Sequence, residues 1–336
     1  MTRRELLYGS AAALLYSRQG KAAPAAPPCK LGIATTSYMT VARPKSTYEF
    51  LEHCHQLGAA GIQAAINGDL AKLRARAEEF GMFIEGMVPL LKGDGNTEAF
   101  EKSLKDAQAV GATCVRAGSL GGRRYEVFAT LEDYKTWVKQ TDAGLDAAVR
   151  LLDKYKMPLG LENHKDRTVD QLVAVLKRYS SEYLGACLDC GNNISLLDDP
   201  MDVIEKLTPH AVTTHFKDMG VAPYKTGFLL SEMPLGQGFL DLPRVASMIR
   251  TARPKAHLML EMITRDPLVV PCLTDKYWAT FPDRNGRYLA RTLTLVEEKT
   301  SPKPLPRISR LPHDQQLQVE EDNVKACMDW ARKNLA

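Results

Sequence analysis

Long apolar runs are missing from this 336-residue chain; no stretch approaches the ~18 residues a membrane-spanning helix needs. Cysteine is sparse and odd in number, seven in all, so no disulfide framework is implied. Cys187 and Cys190 form a lone Cys-x-x-Cys, and without a second pair a zinc ribbon is disfavoured. On one strand their side chains would point to opposite faces, which also disfavours a redox pair, though Cys190 is expected to reach the pocket. The first βα turn carries no Gly-rich phosphate fingerprint, which weighs against a doubly wound dinucleotide fold. Charge of one sign is also in short supply. There are 44 Lys and Arg against 40 Asp and Glu, and a net +4 is too weak to argue for nucleic acid or an anionic membrane. With 45% apolar and 25% charged residues, the composition is that of an ordinary globular chain and excludes disorder or collagen.

What is present begins with an address. Thr2-Arg3-Arg4-Glu5-Leu6-Leu7 leads into a small apolar stretch from Gly9 to Tyr16, then into an Ala- and Pro-rich exit that ends at Pro28. A basic head, a short apolar middle and an Ala-rich exit form a cleavable export pattern. The adjacent arginines resemble a twin-arginine signal; a frayed amphipathic N-terminus is the alternative. Residues 1–28 are therefore expected to be a signal peptide and linker, cut near Ala23 or Ala26, that delivers a folded protein to an exported, periplasmic location. Residues 1–23 hold Arg3, Arg4, Arg18, Lys21 and Glu5, so the trimmed chain carries 40 basic against 39 acidic residues, a net +1. Nucleic-acid binding then loses its electrostatic support.

From Lys30 onward short apolar runs alternate with amphipathic stretches. Strands are predicted at Leu31–Thr35, Gly61–Ala65, Met82–Val88, Thr113–Ala117, Leu159–Asn163, Gly185–Asp189, Ala211–Phe216 and His257–Glu261. Helices are predicted at Tyr48–Leu57, Leu70–Phe80, Glu98–Val110, Leu131–Tyr155, Val169–Tyr179, Met201–Leu207 and Leu242–Thr251. Gly58, Gly81 and Gly111 stand where helix C-caps are expected. Eight β/α units in this length predict a (β/α)8 TIM barrel over residues 29–298. Residues 299–336 add a Pro-rich extended segment and a last helix from Gln316 to Asn334.

In such a barrel the chemistry sits at the C-terminal strand ends. Strands five to eight end at Glu162, Asp189, His215 and Glu261, spaced 27, 26 and 46 residues apart. The first two intervals match one helix plus two loops, and the third leaves room for a long loop. Three carboxylates and one imidazole suit a hard to borderline divalent ion. Mn²⁺ fits best; Mg²⁺, Co²⁺ or Zn²⁺ would also fill the site. A single carboxylate at a strand end often only caps the next helix, but four ligand residues on successive strands point to a cation. Glu162 and Glu261 are the natural acid/base pair, since two carboxylates on opposite sides of a carbon can remove and return its proton.

These residues resemble the metal quartet of the xylose-isomerase-like sugar isomerase/epimerase superfamily, over about Lys30 to Leu293. The most specific likeness is His215-Phe216-Lys217-Asp218 followed by Leu235-Gly236-Gln237-Gly238, similar to that family's His-x-Lys-Asp and Gly-Glu-Gly segments. Two positions depart: Asn192 stands where the family often has His, and Val221 where ketose 3-epimerases commonly have Arg. Endonuclease IV shares the barrel but needs a richer His set. The resemblance implies a metal-dependent isomerase or epimerase that abstracts a proton next to a sugar carbonyl through a metal-bound enediolate. The departures keep a lyase or dehydratase on keto-sugars or glycosides in play. A non-catalytic exported sugar-binding barrel is the third alternative, disfavoured by the intact quartet.

Candidate substrate-binding residues are His164, which alternation places on the same face as Glu162, Lys217, Asn192 and Arg265. His164 would bind a substrate oxygen or shuttle a proton; otherwise it is a hydrogen-bonded structural His. Lys217 would hold a hydroxyl or tune the metal site, or else form a salt bridge with a neighbouring carboxylate, for instance Asp218. Glu85 and Arg116 would face the mouth or form a buried pair with each other. Tyr224, Phe228, Ile263–Pro267 and Lys276-Tyr277-Trp278 would form a lid whose aromatic planes stack on sugar faces. The expected partner is a small sugar or glycoside, with no nucleic acid and no membrane span; a homo-oligomer is compatible with the sequence.

Overall fold

The computed structural model describes residues 29–93 and 95–335; the export pattern of residues 1–28 lies outside them. Eleven strands are described: β1 Leu31–Ala34, β2 Gly61–Ala64, β3 Phe83–Met87, β4 Val115–Ala117, β5 Leu159–Glu162, β6 Leu184–Asp189, β7 Ala211–His215, β8 Asp218–Tyr224, β9 Gly227–Met233, β10 Leu258–Leu260 and β11 Leu268–Val270. Eight of them form one parallel sheet in the order β10-β1-β2-β3-β4-β5-β6-β7. Parallel bridges Thr213↔His257 and Phe216↔Leu260 bring β7 against β10 and nearly close the barrel. Each of the eight predicted strands is present, shifted by at most two residues at an end. They are readable because strands covered on both faces are near-continuous apolar runs: β1, Leu-Gly-Ile-Ala, is buried throughout.

The helices begin where polar side chains cap free N–H groups. Ser46, Asp69, Asp199 and Asp241 accept from backbone amides of the first turn, and Thr130 and Thr168 form capping boxes with Asp133 and Gln171. The predicted glycines Gly58, Gly81 and Gly111 all adopt positive φ at helix ends.

Sequence patterning missed two features. The segment after β7 is not a loop: β8 and β9 form an antiparallel hairpin joined by β11. A helix also runs over Gly286–Glu298. Together they build a second apolar cluster, in which Phe228, Leu230, Val221, Val270, Tyr277 and Phe281 pack. Phe228 is wholly buried there, so it is not a lid residue; Tyr224 sits near the hairpin tip, 38% exposed.

The last helix, His313–Asn334, buries Val324, Cys327, Met328 and Ala331 in the main core. Its Glu320 accepts from the backbone N–H groups of Val41 (3.1 Å) and Ala42 (2.8 Å), which ties down the segment after β1. Next to it, Glu321 accepts from Tyr38 Oη at 2.9 Å and lies 3.2 Å from His53 Nε2. Burial pushes the Glu321 carboxyl up, but His53, Tyr38 and Lys325 outweigh it and hold it at about 2, against an ordinary 4.5. A depressed carboxyl stabilises the fold fully above pH 4.5 and loses that contribution as pH falls toward 2. The urea midpoint of the wild type should therefore drop between pH 5 and pH 3 by more than that of Glu321→Gln; equal drops would remove the linkage.

A candidate metal centre at the barrel mouth

β5, β6 and β7 end in Glu162, Asp189 and His215, and Glu261 directly follows β10. The four side chains are all buried, and one ligand atom from each lies within 4.8 Å of the others. His215 Nδ1 is 3.1 Å from Glu162 Oε1, 3.1 Å from Glu261 Oε1 and 3.8 Å from Asp189 Oδ2. Asp189 Oδ1 accepts from the amides of Gly191 (2.8 Å) and Asn192 (2.7 Å). Its Oδ2 is buried and takes no well-angled hydrogen bond, although Lys217 Nζ lies 2.7 Å away. Asp189 Oδ2, with only that ammonium against it, stands among three other oxygen and nitrogen ligand groups, a donor set that suits a divalent cation, so these residues fit such an ion.

Two cations face the carboxylates. Arg116 on β4 pairs with Glu162, and Lys217 pairs with both Asp189 and Glu261. Three carboxylates against these two cations leave one negative charge, which a protonated His215 would balance. A divalent ion that displaces the His215 proton would leave one net positive charge in the cluster. Burial would lower the Lys217 ammonium, but Asp189 and Glu261 raise it above its ordinary value. Burial likewise raises the Glu261 carboxyl, and His215 and Lys217 more than reverse this, leaving it well below the usual range.

The His215 imidazolium is pushed down by burial and raised more strongly by Cys187 and Glu261, to about 9. A metal at Nδ1 must displace that proton. Zn²⁺ uptake by chelator-treated protein should therefore release one proton near neutrality, and its apparent affinity should rise about tenfold per pH unit up to pH 9. Calorimetry in two buffers of different ionisation enthalpy measures this; uptake without proton release would exclude Nδ1 as a ligand.

Asn192 donates from Nδ2 to Glu162 Oε1 at 3.1 Å and accepts from the buried Lys165. Burial first, then the positive charges of Lys165 and Arg116, press His164 down to about 3, so its ring is neutral at physiological pH. Its Nδ1 is buried without a partner, which removes the reading of a fully hydrogen-bonded structural His. Arg265 instead makes a bidentate pair with Glu232 at 2.6 and 3.2 Å.

Other expectations are corrected by the packing. Lys217 does form salt bridges with carboxylates, but they are Asp189 and Glu261 and not Asp218. The Asp218 carboxylate accepts from the amides of Met219, Gly236, Gly238 and Leu240, pinning the loop after β9. A Cβ on Gly238 would lie 2.2 Å from Asp218 Oδ1, and one on Gly236 would lie 2.3 Å from Trp330 Nε1. That close approach is why the Gly-Gln-Gly segment has no side chains at its two ends. Glu85 and Arg116 are not a pair either. Arg116 reaches Glu162, while Glu85 bonds to Gln63 and Thr213 deeper in the barrel. Cys187 and Cys190 are free, buried thiols, and Cys190 is packed into the main core.

Gln63, Lys165 and Glu232 were missed. Each is a polar residue whose partner is remote in sequence, and the only local signal was a Gln inside a short buried strand. An open cavity of about 410 Å³, lined by Thr35, Thr36, Met39, Arg43 and Met87 among others, lies over the ends of β1, β2 and β3 on the same mouth. Among the described residues no helix is long and apolar enough to cross a membrane.

Comparison with known proteins agrees with this architecture. Residues 49–280 match the xylose isomerase-like TIM barrel family. A 3-oxo-isoapionate decarboxylase of Pectobacterium atrosepticum is 27% identical over 225 residues, 66% of this chain and 74% of that protein. Two solved structures share the fold. One is the IOLI protein with a bound zinc atom (TM-score 0.55, 14% identity, 81% of this chain and 99% of that one). The other is the 3-keto-D-glucoside 4-epimerase YcjR from E. coli (TM-score 0.52, 12% identity, 80% and 99%).

Proposed function

The chain belongs to the xylose isomerase-like TIM barrel family, and from that premise we propose that it is a divalent-metal-dependent isomerase or epimerase acting on a sugar carbonyl. The observation that carries this reading is the convergence of Glu162, Asp189, His215 and Glu261 within 4.8 Å at the barrel mouth. A divalent ion there would acidify the C–H next to a substrate carbonyl and stabilise the negative charge that develops; Mn²⁺ is our preferred ion.

The protein's own groups supply the rest. Glu162 and Glu261 come from strands well separated around the barrel, so each can address one face of the reacting carbon, one taking the proton and the other returning it. Arg116 pairs with Glu162 and orients it, and His215 and Lys217 hold the Glu261 carboxyl below its ordinary range. Neutral His164, with its free Nδ1, offers a hydrogen bond to a substrate hydroxyl. Asn192 holds Glu162 in place, and Arg265, tied to Glu232, would meet substrate only at the rim.

A second reading keeps the site and changes the outcome. Once the proton or a carboxyl group has left, the same carbanion can expel a β-substituent or accept a proton. The decarboxylase relative favours a lyase of this kind. The export reading of residues 1–28 forms part of the proposal and favours an unphosphorylated sugar or glycoside.

The test is incubation of Mn²⁺-loaded and chelator-treated protein with keto-sugars, 3-keto-glycosides and 3-oxo sugar acids in D₂O, read by NMR and mass. Deuterium gain without loss of a group identifies an isomerase or epimerase. Release of water, an aglycone or CO₂ identifies the lyase. Binding that survives chelation, with no turnover, would sink both and leave a sugar-binding barrel.

A further inference from the structure

Beneath the quartet the barrel holds a second polar layer. Gln63 on β2, Glu85 on β3 and Thr213 on β7 are each fully buried. Strand register sets Gln63 beside Glu85, and the bridge between Thr213 and His257 brings β7 against the strand leading into β10. Glu85 accepts from Gln63 Nε2 at 2.9 Å and from Thr213 Oγ1 at 2.6 Å, and lies 2.9 Å from His257 Nδ1. Gln63 Oε1 in turn lies 2.8 Å from His215 Nε2. Bulky branched apolar side chains usually fill this part of a barrel, and a buried polar layer costs stability unless every member is paired.

We infer that Glu85 and Gln63 form a relay that fixes the tautomer of His215 and so presents its Nδ1 to a divalent cation. This inference rests on the metal reading above. Glu85 offers Gln63 only acceptors, so the Gln63 NH₂ faces Glu85 and its carbonyl oxygen faces the imidazole. An oxygen can only accept, so Nε2 keeps its hydrogen. In the neutral ring that a metal requires, the lone pair then falls on Nδ1, the atom that lies among Glu162, Glu261 and Asp189. An acceptor on the far ring nitrogen orients a histidine ligand and makes it more basic. Here an amide on β2 carries that influence from a carboxylate on the neighbouring strand β3, on the far side of the barrel from His215. Thr213 and His257 hold Glu85 in the one orientation the relay needs. Glu85 and Gln63 are thus positioning residues that act through His215.

Two substitutions separate this role from simple packing. Glu85→Gln is nearly isosteric but can donate to Gln63. Both amides can then turn, the Gln63 NH₂ faces His215, and Nδ1 takes the hydrogen. The double variant Glu85→Gln with Gln63→Glu places an acceptor back against Nε2 and a donor behind it. Zn²⁺ alone would be titrated calorimetrically into chelator-treated full-length protein, with circular dichroism confirming the fold. The Zn²⁺ Kd should rise about 10–100-fold in Glu85→Gln and return to within about threefold of wild type in the double variant. An unchanged Kd in Glu85→Gln, or a double variant as weak as the single one, overturns the relay while leaving the metal reading intact. If Glu85→Gln does not fold, the double variant decides: near-wild-type affinity supports the relay, and a loss of tenfold or more overturns it. A wild-type chain that takes up no Zn²⁺ overturns the metal reading and the relay with it.

Discussion

Glu162→Gln is expected to slow exchange of solvent deuterium into a keto-sugar by about 10²–10⁴-fold at saturating Mn²⁺. Glu162 is fixed on both oxygens. Oε2 pairs with Arg116, and Oε1 accepts from Asn192 and lies 3.1 Å from His215 Nδ1. A neutral amide in that position keeps the size but removes the base and half-empties the Arg116 ion pair. Because Gln is also a poorer ligand, bound metal must be measured beside the rate. Lost exchange with metal retained assigns the proton transfer to Glu162, and undiminished exchange with metal retained would sink that role. Glu261→Gln, assayed the same way, tests the partner carboxylate, and loss of only one face of exchange would tell which residue serves which face.

Lys217→Met should destabilise the chelator-treated protein by about 3–5 kcal/mol. Its side chain is 1% exposed and its ammonium pairs with Asp189 and Glu261, both buried. Met matches the stem but leaves those carboxylates uncompensated, which is the expensive way to break a buried ion pair. A bound divalent ion supplies the missing positive charge, so the deficit should shrink when Mn²⁺ is added. Urea unfolding with and without chelator measures the difference. An equal loss in both conditions would mean that Lys217 stabilises by packing alone, and that the quartet does not share its charge with a cation.

The positions of the ligands are legible in the sequence because each is a local event. Glu162, Asp189 and His215 each terminate an apolar strand and Glu261 directly follows one, and a polar residue there is visible within a window of six residues. Strand periodicity also places His164 and Lys217 on the faces of Glu162 and His215. The stretch from Asp218 to Gly238, punctuated by Gly220, Gly227, Gly236 and Gly238, reads as a loop. Its strands alternate against an apolar cluster formed partly by Val270, Tyr277 and Phe281, far away in sequence.

What this sequence determines by itself, then, is the alternation of strand and helix, the barrel that alternation builds, and the four candidate ligands at its mouth. Only the tertiary structure decides who faces whom across that mouth. Arg116 meets Glu162 rather than Glu85, Asp218 serves the loop after β9 rather than Lys217, and Gln63 reaches His215 from 152 residues away. The physical reason is barrel closure. Periodicity says which side chains point inward, but the stagger between strands sets the height at which each one stands. That height separates the layer that would hold the ion from the layer that orients its histidine.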